Sequence, residues 1–344
     1  MKTRAAILYK LNSPLKIKEV EIPPLKKGQV LVKILCSGIC RAQLNEITGL
    51  KGPDRYLPHM LGHEGSGIIE AIGSGVRKVK RGDYVILSWI KGNGLDAFGA
   101  QYRMNGKFIN AGSVTVFSDY SVVSENRVTK ISKKVPPDIA AVIGCAVATG
   151  AGIINNTLKV KKGDSVAVWG LGGVGLSVIL AARQKRCSKI IAVDIASQKL
   201  TFAKKMGATH LIDGRTNVLA KIQNICKAGV DYAVDASGAK IAMEQAFEAI
   251  KNSGILVIAG NLSKQEKISI HPFELIKGKR IIGTWGGETI PDRDFPKYAR
   301  DYCSGKLPID RLITHRFKFE DINKAFAVFK KGETGRIVLK NSGR

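Results

Sequence analysis

Acidic and aromatic residues are scarce in this sequence of 344 residues. It contains 28 Asp and Glu against 55 Lys and Arg, for a net charge of +27, and only 6% of its residues are aromatic. A nucleic-acid partner would require the cations to cluster in an arm or stripe. They are instead spread along the chain without a run of five or more. We therefore expect solvated basic faces, with an anionic substrate or a non-catalytic nucleic-acid-binding protein as the alternatives.

Long apolar segments are also scarce. Residues 1–20 contain no apolar core of the kind found in signal peptides. Residues 165–182 are uncharged, but they contain four glycines, which favours a strand followed by a helix over a membrane span of about 20 apolar residues. We expect a cytoplasmic protein that does not cross a membrane and is large enough for two domains.

The cysteines form no compact framework. They are scattered at positions 36, 40, 145, 187, 226 and 303. Small secreted disulfide proteins have a much denser pattern. We expect thiols that are free, buried or bound to a metal.

A glycine-rich turn is the most informative motif. A strand-like run at 165–169 leads into Gly170-Leu-Gly172-Gly-Val-Gly175 and then into a helix-forming segment. Gly170 permits the tight turn, Gly172 lets the backbone approach a pyrophosphate, and Gly175 lets the helix pack on the strand. The next apolar run ends at Asp194, whose carboxylate suits ribose hydroxyls and repels a 2′-phosphate. The segment predicts a dinucleotide site that favours NAD over NADP.

The two parts of the chain have different secondary-structure patterns. The first part alternates short apolar runs with turn signals, which favours a β-rich, partly closed barrel, and its polar residues 91–118 are predicted to form an excursion loop. Beyond about residue 150, strands alternate with helices as in a doubly wound parallel sheet. These strands are predicted at 165–169, 189–193, 209–212, 231–235, 254–259 and 279–284. After Trp285 only a helix at 320–330 and a strand at 336–340 are predicted.

Three potential metal ligands lie in turns next to glycine. Cys40 follows Gly38-Ile39, His63 stands in Gly62-His63-Glu64-Gly65, and Cys145 follows Gly144. Three Cys and His ligands with one open position are typical of a catalytic rather than a structural zinc site. A single Cys or His is more often an ordinary core residue, so spacing alone does not decide between the two.

The motifs GICRAQ, GHEGSG, GDYV, GCAVATG, GLGGVG and VDI follow one another along the chain. Together they resemble the zinc-dependent alcohol dehydrogenases of the medium-chain dehydrogenase/reductase family, over about residues 4 to 340. The resemblance implies an α/β protein with a GroES-like catalytic domain at 1–148 and 287–344 and a Rossmann NAD-binding domain at 149–286. It also implies hydride transfer between an alcohol and NAD, and a homodimer or homotetramer with a contact near 279–284.

The resemblance also implies roles for individual residues. The zinc ligands would be Cys40, His63 and Cys145, with Glu64 as a nearby acid. The cofactor would contact Arg41 and Arg336 at its pyrophosphate, Thr149 and Val174 at its nicotinamide, Asp194 and Lys199 at its adenosine ribose, and Gly170, Gly172, Gly173 and Gly175 in the turn. Trp89 would line the substrate pocket, and Trp285 is expected to extend an apolar wall there.

Several positions depart from the family pattern. Ala42 replaces the hydroxyl residue that takes the alcohol proton, and Asn45 replaces a relay histidine. Gln43 replaces an Asp beside the zinc histidine, and its amide oxygen is expected to accept the His N–H. Water, ribose hydroxyls or Glu46 would then carry the proton. Residues 91–118 contain no cysteine, so we expect one catalytic zinc and no structural zinc.

The substrate class stays open on these patterns. Trp89 and Trp285 favour a simple or aromatic alcohol, whereas the missing relay hydroxyl and the many lysines are compatible with a polyol, a sugar or an aminocyclitol. A zinc-free reductase of the same superfamily is a further alternative, but it would not require Cys40, His63 and Cys145.

Overall fold

The computed structural model describes residues 1–263 and 265–341. Short strands dominate its N-terminal part, as the pattern predicted. They are β1 (Lys2–Leu8), β2 (Lys16–Glu21), β3 (Gln29–Ile39), β4 (His59–Met60), β5 (Glu64–Ile72), β6 (Tyr84–Ser88), β7 (Gln101–Met104), β8 (Lys107–Asn110), β9 (Tyr120–Ser124) and β10 (Val128–Lys130). Strands β1, β2, β7, β8 and β4 close a small barrel. Helix α1 (Arg41–Ile47) follows β3 directly.

The prediction of an excursion loop at 91–118 was wrong for its centre, where β7 and β8 pair antiparallel. The turn between them is Asn105-Gly106, and both residues have positive φ angles, 49° and 75°. Asn-Gly is the preferred sequence of the two-residue hairpin turn because both central residues must adopt this conformation. The hairpin signal was therefore present in the sequence, within a segment that is otherwise polar.

A long apolar helical segment connects the two parts of the chain. It consists of α2 (Pro137–Val142), a π-helical turn (Ile143–Val147), α3 (Ala148–Gly152) and a second π-helical turn (Ile153–Thr157). Its length and composition would suffice to cross a membrane, but 89% of its most apolar window is buried inside the protein. It packs against β3, β5 and the following helix, and is therefore a core element.

A doubly wound parallel sheet carries the glycine-rich turn, as predicted. Its strands are β11 (Ser165–Trp169), β12 (Lys189–Asp194), β13 (His210–Asp213), β14 (Val230–Asp235), β15 (Ile250–Ile258) and β16 (Arg280–Gly283). They lie in the order β13-β12-β11-β14-β15-β16, so the turn after β11 stands where the winding direction reverses. Ligands of such sheets bind at this point. The intervening helices are α4 (Gly173–Gln184), α5 (Ser197–Met206), α6 (Val218–Ile225), α7 (Lys240–Ala249) and α8 (Pro272–Ile276).

The C-terminal part contains more regular structure than was predicted. Besides α10 (Ile322–Lys330) and β18 (Arg336–Lys340), it contains α9 (Pro291–Cys303) and β17 (Ile313–Lys318). Helix α9 carries a proline in its first turn and another, Pro296, in its interior, where proline normally indicates a helix end. Strand β18 pairs with both β17 and β3, which returns the chain to the N-terminal sheet. The described parts of 1–148 and 287–341 thus share a sheet, while the exact domain boundaries stay a prediction.

Candidate active site

The three predicted metal ligands come together in the structure. Cys40 stands at the N-terminus of α1, His63 immediately before β5, and Cys145 in the π-helical turn after α2. The His63 Nε2 to Cys145 Sγ distance is 3.3 Å, and the two sulfur atoms are 4.0 Å apart. The three ligand atoms all lie within 4.8 Å of one another. Residues separated by more than 100 positions in the sequence therefore form one cluster.

The chemistry of this cluster fits a zinc ion. Sulfur and imidazole nitrogen are the preferred donors of zinc, and three protein ligands leave a fourth position for a substrate. A hydrogen bond from the Cys145 thiol lowers the pKa of Cys40 well below its usual value. The thiolate is the form that ligates a metal, so the pair already favours one ligand in its binding state.

Gln43 contacts the zinc-ligand candidate His63, but in the opposite orientation to the expected one. Its amide nitrogen faces His63 Nδ1, while its amide oxygen accepts a hydrogen bond from the Cys40 backbone N–H at 3.2 Å. The side chain is almost fully buried. It therefore connects the two ligand-bearing segments, at the position where the sequence predicted a partner for His63.

A buried ion pair links the metal ligands to the glycine-rich turn. Glu64, at the start of β5, pairs with Arg336, at the start of β18, and both side chains are buried. Glu64 Oε2 and Arg336 Nε have no hydrogen-bond partner among the described residues. A Cβ atom on Gly173 would lie only 2.3 Å from Arg336 Cδ. A larger residue at 173 would therefore force the Arg336 side chain to move.

The glycine-rich turn has the geometry that dinucleotide binding requires. Gly170 has a φ of +85°, and a Cβ on Gly175 would lie 2.0 Å from the Gly170 carbonyl oxygen. Asp194 ends the neighbouring strand β12, and its carboxylate accepts hydrogen bonds from Leu171 N at 2.7 Å and from Ala196 N at 2.9 Å. The acid is therefore fixed next to the turn. A free helix N-terminus at this place favours phosphate binding.

Other predicted cofactor residues lie around this turn. Lys199 Nζ is 3.8 Å from the Asp194 carboxylate. A Cβ on Gly150, next to Thr149, would lie 2.4 Å from the Val174 carbonyl oxygen, so α3 packs tightly on the first turn of α4. The Arg41 guanidinium lies 5.5 Å from the centre of the Phe329 ring. Lys199 thus lies beside Asp194, and α3 beside the start of α4, while the cofactor contacts of these residues stay predictions.

Two tryptophans form an aromatic wall beside the metal ligands. The Trp89 ring lies 6.5 Å from the His63 ring, and the Trp285 ring meets Trp89 edge to face at 5.3 Å and 88°. Trp285 is 81% exposed. A pocket next to His63 would therefore be bounded by aromatic carbon on this side.

Comparison with known proteins identifies the family. A model of the alcohol dehydrogenase GroES-like domain matches residues 26–133, and a model of zinc-binding dehydrogenases matches residues 173–302. Alcohol dehydrogenase class-3 of Caenorhabditis elegans is 33% identical, over 98% of this chain and 96% of that protein. The chain belongs to the zinc-dependent alcohol dehydrogenases. S-(hydroxymethyl)glutathione dehydrogenase of Synechocystis sp. is also 33% identical, over 98% of this chain and 100% of that protein.

Solved structures of this dehydrogenase family have the same fold. Benzyl alcohol dehydrogenase of Acinetobacter calcoaceticus superimposes with a TM-score of 0.91 and 32% identity, over 99% of this chain and 100% of that chain. A zinc-binding alcohol dehydrogenase protein of Burkholderia ambifaria gives a TM-score of 0.93 at 28% identity, over all of both chains. The predicted family and fold class are thereby confirmed. The protein is an NAD-dependent oxidoreductase that uses zinc to interconvert an alcohol and an aldehyde or ketone.

One side-chain cluster near the dehydrogenase site was not predicted. Glu46, Asp54 and His59 bring three further potential ligand atoms within 4.8 Å of one another. Glu46 was expected at most as a proton carrier. The spacing of these residues in the sequence did not indicate a metal site. They become neighbours only because the loop after α1 folds back in the structure.

Proposed function

We propose that this dehydrogenase oxidises primary aromatic alcohols of the benzyl alcohol type with NAD. The aromatic pair Trp89–Trp285 next to His63 is the observation that supports this substrate class. Aromatic rings pack favourably edge to face, whereas a carbon wall cannot satisfy the hydroxyls of a polyol or sugar. The benzyl alcohol dehydrogenase of Acinetobacter calcoaceticus, similar in fold and sequence, is named for a substrate of this class.

In the proposed mechanism, Cys40, His63 and Cys145 hold the zinc ion. Zinc bound there supplies Lewis-acid stabilisation of the charge that develops on the alcohol oxygen. The turn at Gly170, Gly172, Gly173 and Gly175, together with Arg41 and Arg336, would hold the cofactor pyrophosphate. Asp194 and Lys199 would bind the adenosine ribose, and Thr149 and Val174 would orient the nicotinamide towards the carbinol carbon. Ala42, Trp89 and Trp285 would line the substrate pocket.

The proton leaves through water or the cofactor ribose in this proposal. Ala42 has no hydroxyl and Asn45 has no titratable group to pass the alcohol proton onward. Glu46 is engaged elsewhere, because one of its carboxylate oxygens pairs with Lys51 at 2.8 Å and the other faces His59. A side-chain relay through Glu46 is therefore the less favoured of the predicted routes.

The substrate proposal is tested by comparing kcat/KM for NAD reduction with benzyl alcohol, ethanol, sorbitol and S-(hydroxymethyl)glutathione. We expect benzyl alcohol to give the highest value. Trp89→Ala should lower kcat/KM for benzyl alcohol by about tenfold, because the lost ring contact is worth about 1 kcal/mol or more in the transition state. Its effect on ethanol should be smaller.

Phe98→Ala is the matched control, since this ring is 96% exposed and lies outside the aromatic wall. This substitution should leave kcat/KM unchanged for both benzyl alcohol and ethanol. A preference for sorbitol or for S-(hydroxymethyl)glutathione would overturn the substrate class while leaving the family assignment intact.

We also propose one catalytic zinc and no structural zinc of the four-cysteine type, in a cytoplasmic homodimer or homotetramer. Residues 91–118 lack the cysteines of a four-cysteine site, and the carboxylates of Glu125 and Asp292 hold the start of this segment instead. The edge strand β16 is the proposed subunit contact. We propose that the protein binds neither nucleic acid nor a membrane.

A further inference from the structure

A second cluster of potential metal ligands lies between the segments that carry Cys40 and His63. Glu46 belongs to α1, Asp54 to the loop that follows it, and His59 to β4. His59 is largely buried, and its Nε2 atom lies 2.7 Å from Asp54 Oδ2 and 3.9 Å from Glu46 Oε1. None of these residues has a role in the dehydrogenase mechanism described above.

In each of these three residues, one side-chain atom makes a contact outside the cluster and a second atom faces the other two residues. His59 Nδ1 bonds the Met60 carbonyl oxygen at 3.0 Å, which leaves Nε2 to face the carboxylates. Asp54 Oδ1 accepts from the Tyr56 backbone N–H at 2.9 Å, which leaves Oδ2 free to face His59. Glu46 Oε2 accepts from Lys51 Nζ at 2.8 Å, and Oε1 points inward. Outer contacts that fix the orientation of each ligand are typical of metal sites in proteins.

The contact of His59 Nδ1 leaves the Nε2 atom available to a cation. Only a protonated Nδ1 can donate to the Met60 carbonyl oxygen, so Nε2 of a neutral ring presents a lone pair to Asp54 Oδ2. Two acceptors 2.7 Å apart repel each other unless a proton or a metal ion lies between them. A small outward movement of Asp54 would make room for a metal, because ligand atoms around a tetrahedral ion at about 2.0 to 2.1 Å lie about 3.3 Å apart.

We propose that Glu46 Oε1, Asp54 Oδ2 and His59 Nε2 bind a second divalent transition metal, with zinc as the best match to one imidazole and two carboxylates. This site is distinct from the thiolate centre and from any four-cysteine site. Glu46 follows Cys40 by six positions and His59 precedes His63 by four. The metal would therefore clamp the loop that joins two catalytic ligands, whichever alcohol the enzyme oxidises.

Cobalt titration of the metal-free protein tests this proposal. A cobalt ion at the Cys40–His63–Cys145 centre gives a thiolate charge-transfer band, whereas a site with only oxygen and nitrogen ligands does not. We expect wild-type protein to bind roughly two cobalt equivalents, of which only one produces the band. Asp54→Asn should bind roughly one equivalent and keep the full band. Cys145→Ser should lose the band but retain the other equivalent.

Two further variants protect the test from effects on folding. Glu46→Gln removes an inward ligand from a partly exposed side chain and should reproduce the loss seen in Asp54→Asn. Asp213→Asn alters an exposed carboxylate paired with Arg215 and should bind as wild type does. The proposal is overturned if wild-type protein saturates with the thiolate-bound cobalt alone, which would mean that a proton fills the gap. It is equally overturned if both Asp54→Asn and Glu46→Gln retain the second equivalent.

Discussion

Gln43 is not a predicted zinc ligand, but its side chain contacts the predicted ligand His63. When His63 Nε2 binds the metal, Nδ1 carries the hydrogen and needs an acceptor. Rotating the Gln43 amide by 180° would place its oxygen there, at the expense of its contact with Cys40 N. We predict that Gln43→Ala weakens zinc binding by about 10- to 100-fold in a chelator competition. Gln43→Glu, which keeps an acceptor, should bind zinc almost as wild type; equal affinity of the Ala variant would contradict the prediction.

Among individual residues, those that lie in local turns could be identified as candidate site residues from the sequence. Cys40, His63, Cys145 and the turn glycines were recognisable because glycine permits backbone conformations and close contacts that few other residues allow. The pairing of Glu64 with Arg336 was not, because the two residues lie 272 positions apart and meet only when β18 joins the N-terminal sheet. Neither was the Glu46–Asp54–His59 cluster, whose members become neighbours through the path of one loop.

At the scale of elements, the segment 91–118 raises the question of what orders it without cysteines. Glu125 is buried and accepts three backbone N–H groups, from Arg77, Lys78 and Leu95, each at 2.7 Å. Asp292 of α9 accepts the Asn93 N–H and pairs with Lys78. Two carboxylates thus fasten the start of the segment to its surroundings. These contacts can order the start of the segment without a metal.

We predict that Glu125→Gln destabilises the protein by about 1 to 3 kcal/mol, because the new amide NH2 would face a backbone N–H that it cannot satisfy. Burial opposes ionisation of Glu125, but its backbone N–H donors outweigh this effect and lower its pKa. The stabilisation is therefore complete above the unfolded-state pKa and is lost as the pH falls through the folded-state value. Urea unfolding of both proteins should show a difference at pH 7 that shrinks in acid.

Glu70→Gln is the control for this comparison, since Glu70 pairs with a largely exposed Arg81 at the surface. It should change stability by less than about 1 kcal/mol. An unfolding difference for Glu125→Gln that stays constant down to strongly acidic pH would show that the carboxylate charge is not what holds the segment.

Elements were predictable where their pattern was periodic. The parallel strands were placed within a few residues because buried runs alternate with helices and turn residues. The hairpin β7–β8 lies in polar sequence, where only Asn105-Gly106 indicates it. Helix α9 contains Pro296, and its stability comes from packing of Phe295 and Tyr298, both fully buried, on the core. Tertiary contacts therefore override the local signal there.

At the scale of the whole molecule, the catalytic centre depends on contacts between the two halves of the chain. Strand β18 belongs to the N-terminal sheet, yet its Arg336 reaches both Glu64 and Gly173 of the cofactor turn. One apolar cluster contains Ile86 from β6 together with Val168 from β11. A change in the relative position of the halves would therefore alter the metal ligands and the cofactor turn together. This coupling suits a reaction in which the metal centre and the bound cofactor must both act on the same alcohol group of the substrate.

Strand β16 forms one edge of the parallel sheet among the described residues. Within the described part of the chain, strand β16 pairs with β15 alone, and exposed apolar side chains occur shortly before and after it in the sequence: Phe273, Leu275, Ile276 and Ile290. Unpaired edge strands with exposed apolar residues favour pairing with another chain. A second copy that adds its own β16 would extend the sheet across a twofold axis, as an isologous interface requires.

We predict that Ile276→Asp, at a side chain that is 77% exposed, converts the proposed homodimer or homotetramer to monomers or to a smaller assembly in light scattering coupled to size-exclusion chromatography. A carboxylate buried in such an interface would be left without a partner, which weakens association strongly. Ile241→Asp is the matched control, because Ile241 is 68% exposed and belongs to α7, which packs against β11, β14 and β15. It should retain the wild-type mass. If Ile276→Asp also retains that mass, the subunit contact lies on another face, and the exposed apolar residues beside β16 require a different explanation.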